Sequence, residues 1–386
     1  MALKVHILGA VMKFVFLIFL AMTTACADKT PTGGLGGKIG APDAKKSADS
    51  SGSTPVPESA LWTTSSAPLK LQCEPPSELS FKISNGMNEM NKYMLARFAM
   101  LGAPTLKFDD AFLQDYFKKA GFSLVKLLNN PSKGVQGVVA TSDKLNLVVF
   151  RGTHSAGGVG TDLNFFMSSS GFLNMPGGVH GGFKTAYESV QADLAAALDV
   201  AKRPGVPTFY VGHSLGGALA MLAAADGLAK GVKVEGLLTL GQPRTGNVNY
   251  ALAFSSALRE KYFRYVFKDD PVPHLPPTAS AAESAASTLS GNNLLKLGIQ
   301  AAALVRFGHV GIPVNLGEAK FSAQKYESDD AWDKSYYTTN GTVIKNSLPS
   351  ALSSATTGSL ETLPKDNVIG DHGLENYLCS MLESVK

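Results

Sequence analysis

Apolar positions recur with two alternating periods over residues 69–386. Residues 134–140 (GVQGVVA) and 145–150 (LNLVVF) are short β-branched and apolar runs with a polar turn at 141–144 between them. They predict two consecutive strands. Within 182–202, Phe183, Tyr187, Val190, Leu194 and Leu198 fall at the three-to-four spacing of one helix face. Residues 88–101 read as a helix, TFYV (208–211) as a strand, and the Ala-, Gly- and Leu-rich 215–228 as a second buried helix. Residues 234–240 and 262–267 (YFRYVF) are further strands. This alternation predicts an α/β domain, a central, mostly parallel sheet flanked by helices on both faces.

Three stretches break the rhythm. Residues 279–290 (ASAAESAASTLS) form an Ala/Ser-biased insertion, either a cap over a pocket or a surface excursion, and 293–305 after it read as helical. Residues 349–364 are a polar, Ser/Thr-rich loop. The third lies at the N-terminus, where residues 14–22 (FVFLIFLAM) form an unbroken apolar run preceded by Lys4 and Lys13. A folded span needs about 20 apolar residues, so this run suits the h-region of a secretory signal. Met12-Lys13 would itself make a complete start. Cys26 follows a small residue, as in a bacterial lipobox, although Thr23 stands where Leu is usual. The reading is a signal peptide at 1–25 and lipidation of Cys26. Residues 26–68 then form a flexible linker too poor in apolar residues to fold, with a folded domain at 69–386. The expected location is the outer membrane, through that lipid anchor, or the medium if Cys26 is an incidental cysteine.

Composition fits a globular domain, at 45% hydrophobic and 17% charged residues. The net charge of +4 comes without a Lys/Arg block, which argues against a nucleic-acid partner. No His/Cys/Asp cluster has metal-ligand spacing, so no metal and no organic cofactor is expected, and the chain is read as a monomer. Beyond Cys26 only Cys73 and Cys379 remain, at the two ends of the domain. In an oxidising compartment they would close one long loop, worth a few kcal/mol in the chain-entropy model; the alternative is two buried thiols.

Residues 212–216 (GHSLG) have the form G-x-S-x-G. The pattern alone is weak, but here it follows a strand and opens a helix, the setting in which a strained turn presents a serine. Gly212, Gly216 and Gly217 leave room for strand and helix backbones to approach. Ser214 is therefore the candidate nucleophile, with helix N–H groups beside it to hold an oxyanion. A serine needs a base, and the base needs a carboxylate. Asp269 and Asp270 follow the strand at 262–267, which puts them at a strand end. Of the downstream histidines, His372 sits in a late loop, while His309 and His274 are weaker alternatives; His274 is only four residues past Asp270, across two prolines.

Taken together, VVFRGT (148–153), VHGGF (179–183), VGHSLGGALA (211–220), GQPRTGN (241–247) and DPVPHLPP (270–277) occur in an order that resembles the class 3, fungal-type lipases. The resemblance runs from about residue 88 to 379. It implies the α/β-hydrolase fold and a lipid or other ester substrate. It also implies a triad of Ser214, Asp270 (with Asp269 as a minor alternative) and His372, an oxyanion hole from the N–H groups of Thr153 and Leu215, and a Cys73–Cys379 disulfide like the one tying the chain ends of fungal members. Where those members carry an apolar lid helix with a tryptophan, this chain has HSAGGVG (154–160), too rich in glycine for a stable amphipathic helix. That departure weighs against activation at an oil–water interface and towards a broader esterase, phospholipase or polyester esterase. A surface binding module on the same fold is the rival from another class.

Overall fold

β3 (Asn146–Phe150) and β4 (Thr208–His213) are buried along almost their whole length, as strands covered on both faces must be. They are the middle of a sheet that has, among the described residues, seven strands in the order β1 (Ser123–Asn130), β2 (Val135–Thr141), β3, β4, β5 (Val234–Leu240), β7 (Tyr262–Phe267) and β9 (Pro313–Leu316). The computed structural model describes residues 73, 80–102, 109–152, 171–201, 203–288, 304–309, 313–317 and 371–385. β3, β4, β5 (Val234–Leu240), β7 (Tyr262–Phe267) and β9 (Pro313–Leu316) run parallel. β2 (Val135–Thr141) and β1 (Ser123–Asn130) extend the sheet antiparallel at one edge. A separate short ribbon pairs β6 (Gly246–Asn247) with β8 (Phe307–Gly308).

Alternate side chains of each central strand enter different cores. Leu147, Val149, Phe209 and Val211 pack on one face beneath α1 (Glu89–Ala96), α2 (Asp110–Lys119) and α7 (Leu374–Glu383). Val148, Phe150 and Tyr210 pack on the other, beneath α3 (Gly181–Ala201), α4 (Leu215–Ala229) and α5 (Val248–Leu258). The expected architecture, with helices on both faces of a mostly parallel sheet, is what the chain adopts. α3 buries Phe183, Tyr187, Val190, Leu194 and Leu198, the positions its periodicity picks out. Apart from Asp226, α4 is apolar all round and buried along nearly its whole length, so it has no amphipathic stripe.

Departures from expectation are local. The helix read over 88–101 is α only through Ala96 and tightens to a 3-10 helix at Arg97–Gly102. Its start is fixed by Asn88, whose side chain accepts from Asn91 N–H at 2.9 Å. β1 has no strand signature because it is half-exposed at the sheet edge and carries Lys126 and two asparagines. α2 starts instead at a capping Asp109, which accepts from Phe112 N–H. The Ala/Ser insertion opens as α6 (Ala279–Thr288), and Ala281 and Ala282 there are fully buried. Its first turn thus packs into the body rather than standing off it. The remainder of the insertion, the helix read at 293–305 (apart from its last two residues) and the loop at 349–364 lie outside the described residues, as do the signal and linker segments. Among the described residues, no helix is long and apolar enough to cross a membrane.

Candidate active site

Because β4 pairs with β3 and β5 in register, Phe150 lies beside Gly212 and Leu240 beside His213 at one end of the sheet. Ser214 follows immediately, at φ 56° and ψ −129°. A non-glycine residue there is strained, at a cost of order 1–3 kcal/mol that the surroundings must impose. They do so by close packing. A Cβ on Gly212 would stand 2.1 Å from Gly216 O, and one on Gly216 would stand 2.3 Å from Phe150 O. Both positions therefore have to be glycine for strand, turn and helix to meet. The Ser214 N–H donates to Leu240 O at 2.9 Å, tying the turn to β5. Leu215 opens α4, so its N–H is among the four at a helix start without an intrahelical acceptor.

β7 leads into the second half of the site. Asp270, three residues past its end, is wholly buried. Its Oδ2 accepts from His372 Nδ1 at 2.8 Å and from the Tyr377 hydroxyl, and its Oδ1 accepts from Val272 N–H at 2.8 Å. A buried carboxylate needs such partners. Because the carboxylate only accepts, His372 carries its proton on Nδ1 and leaves Nε2 as a base. Both His372 Nε2 and Ser214 Oγ are buried and, among the described residues, neither has a hydrogen-bond partner. The Tyr377 phenol is held well above its ordinary pKa, first by burial and then by the Asp270 charge, so it stays a donor.

Two contacts index the imidazole to the serine turn. The His213 and His372 rings stack with centroids 4.6 Å apart, and His213 Nε2 bonds the His372 carbonyl at 2.9 Å. Gly241, the residue after Leu240, has φ +57°, and a Cβ on it would stand 2.8 Å from Asp270 Oδ2 and 2.9 Å from His372 Nδ1. Burial, reinforced by the neighbouring His372, pushes His213 down to about 3, so this ring is neutral at ordinary pH. The loop is tied again where Asp371 Oδ2 accepts from Asp269 N–H at 3.3 Å. Burial raises the Asp371 carboxyl above its ordinary value.

The structure thus brings Ser214, Leu215, Asp270 and His372 to one end of the sheet. Thr153, Cys26 and the glycine-rich 154–160 lie outside the described residues. Asp269 contributes its backbone N–H to Asp371, and the ring of His309 is engaged by Pro273 O at 2.6 Å. His274 closes a turn onto Pro271 O through its backbone. Cys73 and Cys379 are joined across 306 residues, with Cα atoms 5.5 Å apart, which staples α7 behind the His372 loop. Sequence reading passes over His213, Gly241 and Tyr377. Two of these lie inside quoted motifs, GHSLG and GQPRTGN, where the only available signal was their adjacency to Ser214 and to a strand end.

Residues 147–280 match the family model for lipase (class 3). The secreted mono- and diacylglycerol lipase 1 of Fusarium solani is 38% identical over 149 residues, 37% of this chain and 44% of that protein. A lipase of Rhizomucor miehei is 39% identical over 146 residues, 36% of this chain and 39% of that protein. The chain therefore spans less than half the length of these curated relatives. Among solved structures, the Rhizomucor miehei triacylglyceride lipase aligns with a TM-score of 0.47 at 21% identity, over 75% of this chain and 97% of that one. Residues 147–280 are thus similar to the class 3 lipases.

Proposed function

We propose that the protein hydrolyses carboxylic esters, of acylglycerol type, through an acyl-enzyme on Ser214. The observation that carries this reading is the strained serine turn packed against a half-buried imidazole bound to a buried carboxylate, with a lone-pair nitrogen and a hydroxyl that have no hydrogen-bond partner among the described residues. In the first half-reaction Ser214 Oγ bonds to the acyl carbon while its proton passes to His372 Nε2. The alkoxy–carbon bond then breaks, and the leaving alcohol takes that proton. Water repeats the sequence in reverse roles and releases the acid. Asp270 holds the imidazole in the right tautomer and stabilises the imidazolium. The tetrahedral oxyanion is assigned to the Leu215 N–H and, as second donor, the Thr153 N–H, aimed where negative charge develops.

The wider organisation belongs to the same proposal. Residues 1–25 direct export, Cys26 carries the lipid, 26–68 form the tether, and 69–386 form the catalytic domain at a membrane surface. The glycine-rich 154–160 favours substrates beyond triglyceride, so phospholipids and polyesters belong in the panel. The test is hydrolysis of short and long p-nitrophenyl esters, triglyceride and phospholipid by the wild type and by Ser214→Ala. Activity should fall by at least about 10³-fold in the variant. A variant retaining full activity rejects the mechanism, and an intact wild type inert on every ester favours a binding role.

A further inference from the structure

We infer that His213, the residue just before the nucleophile, is a positioning residue that fixes His372 relative to Ser214 through the hydrogen bond from its ring to the His372 backbone. This rests on the ester hydrolase reading above. The His372 carbonyl can only accept, so His213 Nε2 is the donor in the 2.9 Å contact. The side chain of His372 is oriented by Asp270, yet that bond alone leaves the main chain of the loop able to pivot about it. Asp371 ties the loop to Asp269 N–H, and the His213 bond attaches the main chain of His372 itself, from the serine turn. Its origin matters, because residues 213 and 214 share one peptide. The backbone that aims the Ser214 hydroxyl therefore also aims the donor, and nucleophile and base are registered to each other by a single turn.

Several features hold the His213 ring in this role. β4 and β5 fix its backbone, where it pairs with Leu240. Gly152 closes over it: a Cβ there would stand 3.0 Å from His213 O and 3.1 Å from Nδ1. Tyr377 meets the ring edge-on at 6.0 Å, and the same tyrosine donates to Asp270. The charged or titratable groups that face the ring are His372, Asp270 and Tyr377. A neutral ring stacked on His372 adds no positive charge beside the imidazolium that forms during acylation. A lysine or arginine here would oppose that step. Misplacing a reacting group by about 1 Å can cost on the order of 10²-fold in rate, which sets the scale of the effect.

The test compares two side chains of similar length. His213→Gln retains an N–H donor near the position of Nε2, and His213→Met does not. Steady-state hydrolysis of p-nitrophenyl butyrate is measured for both, with Ser214→Ala as the control for the underlying reading. The expected result is a roughly 10- to 100-fold loss of kcat in the Met variant with KM within about twofold, and recovery to within roughly threefold of wild type by Gln. A residue serving only the fold would shift thermal midpoint and KM, and Gln would not rescue it. Equal kcat in Met and wild type, or equal losses in Met and Gln, overturns the proposal. If Met does not fold, His213→Phe keeps a ring without the donor and is compared with Gln by the same criteria. Full activity in Ser214→Ala would instead overturn the hydrolase reading, and this inference with it.

Discussion

The turn that carries Ser214 and the arm that carries His372 meet at one end of the sheet, but they are built in opposite ways. The turn is made from sequence neighbours: β4, the single residue Ser214 and α4, with Gly212 and Gly216 admitting contacts that no side chain could share. The arm arrives from more than 150 residues away and is held by separate attachments. His372 binds Asp270 and His213, Asp371 binds Asp269 N–H, and α7 is stapled by Cys379. Strain in the turn is imposed by packing, whereas order in the arm is imposed by individual bonds. Damage to the glycine packing of the turn should therefore unfold the centre of the domain, and damage to the bonds of the His372 imidazole should cost chemistry first.

Three variants sharpen that contrast. Asp270→Asn should show the largest effect, a fall in kcat of about 10⁴-fold, because an amide favours the wrong tautomer of His372. Its denaturation free energy should change by only about 1 kcal/mol, since the side chain still accepts a hydrogen bond. Gly216→Ala places a Cβ 2.3 Å from one main-chain oxygen and 2.7 Å from another. The backbone must move, and a loss of about 3 kcal/mol is expected in chemical denaturation, with kcat and stability falling together. The smallest effect should come from Cys73→Ser with Cys379→Ser, a loss of about 2 kcal/mol in stability. At 25 °C its kcat should stay within a few-fold of wild type, because Tyr377 and Asp270 still hold the arm. An Asp270→Asn variant that unfolds the domain, or a Gly216→Ala variant that leaves its stability unchanged, would break the distinction.

The same contrast explains what was legible in the sequence. Ser214 was plain because every requirement of its turn is local, a strand before, glycines around and an apolar helix after. Asp270 was readable as a residue at a strand end, and His372 chiefly as a histidine late enough in the chain. Its partner in the arm, Tyr377, left no sign, since nothing in a sequence says that a tyrosine five residues on will reach the same carboxylate oxygen. His213 was hidden by its neighbour, occupying the variable place in G-x-S-x-G. The edge strand β1 and the capped helix α2 were missed for a different reason. One is half-exposed, and the other gains its start from Asp109 rather than from a long apolar stripe.

The atom that receives the acyl group decides the mechanism. The direct measurement is rapid mixing with p-nitrophenyl butyrate, acid quench and mass spectrometry of the digested protein. One butyryl group per molecule on the peptide containing Ser214, absent from Ser214→Ala, is the expected result. Turnover with the acyl group on another residue, or with Ser214 never acylated, would contradict it.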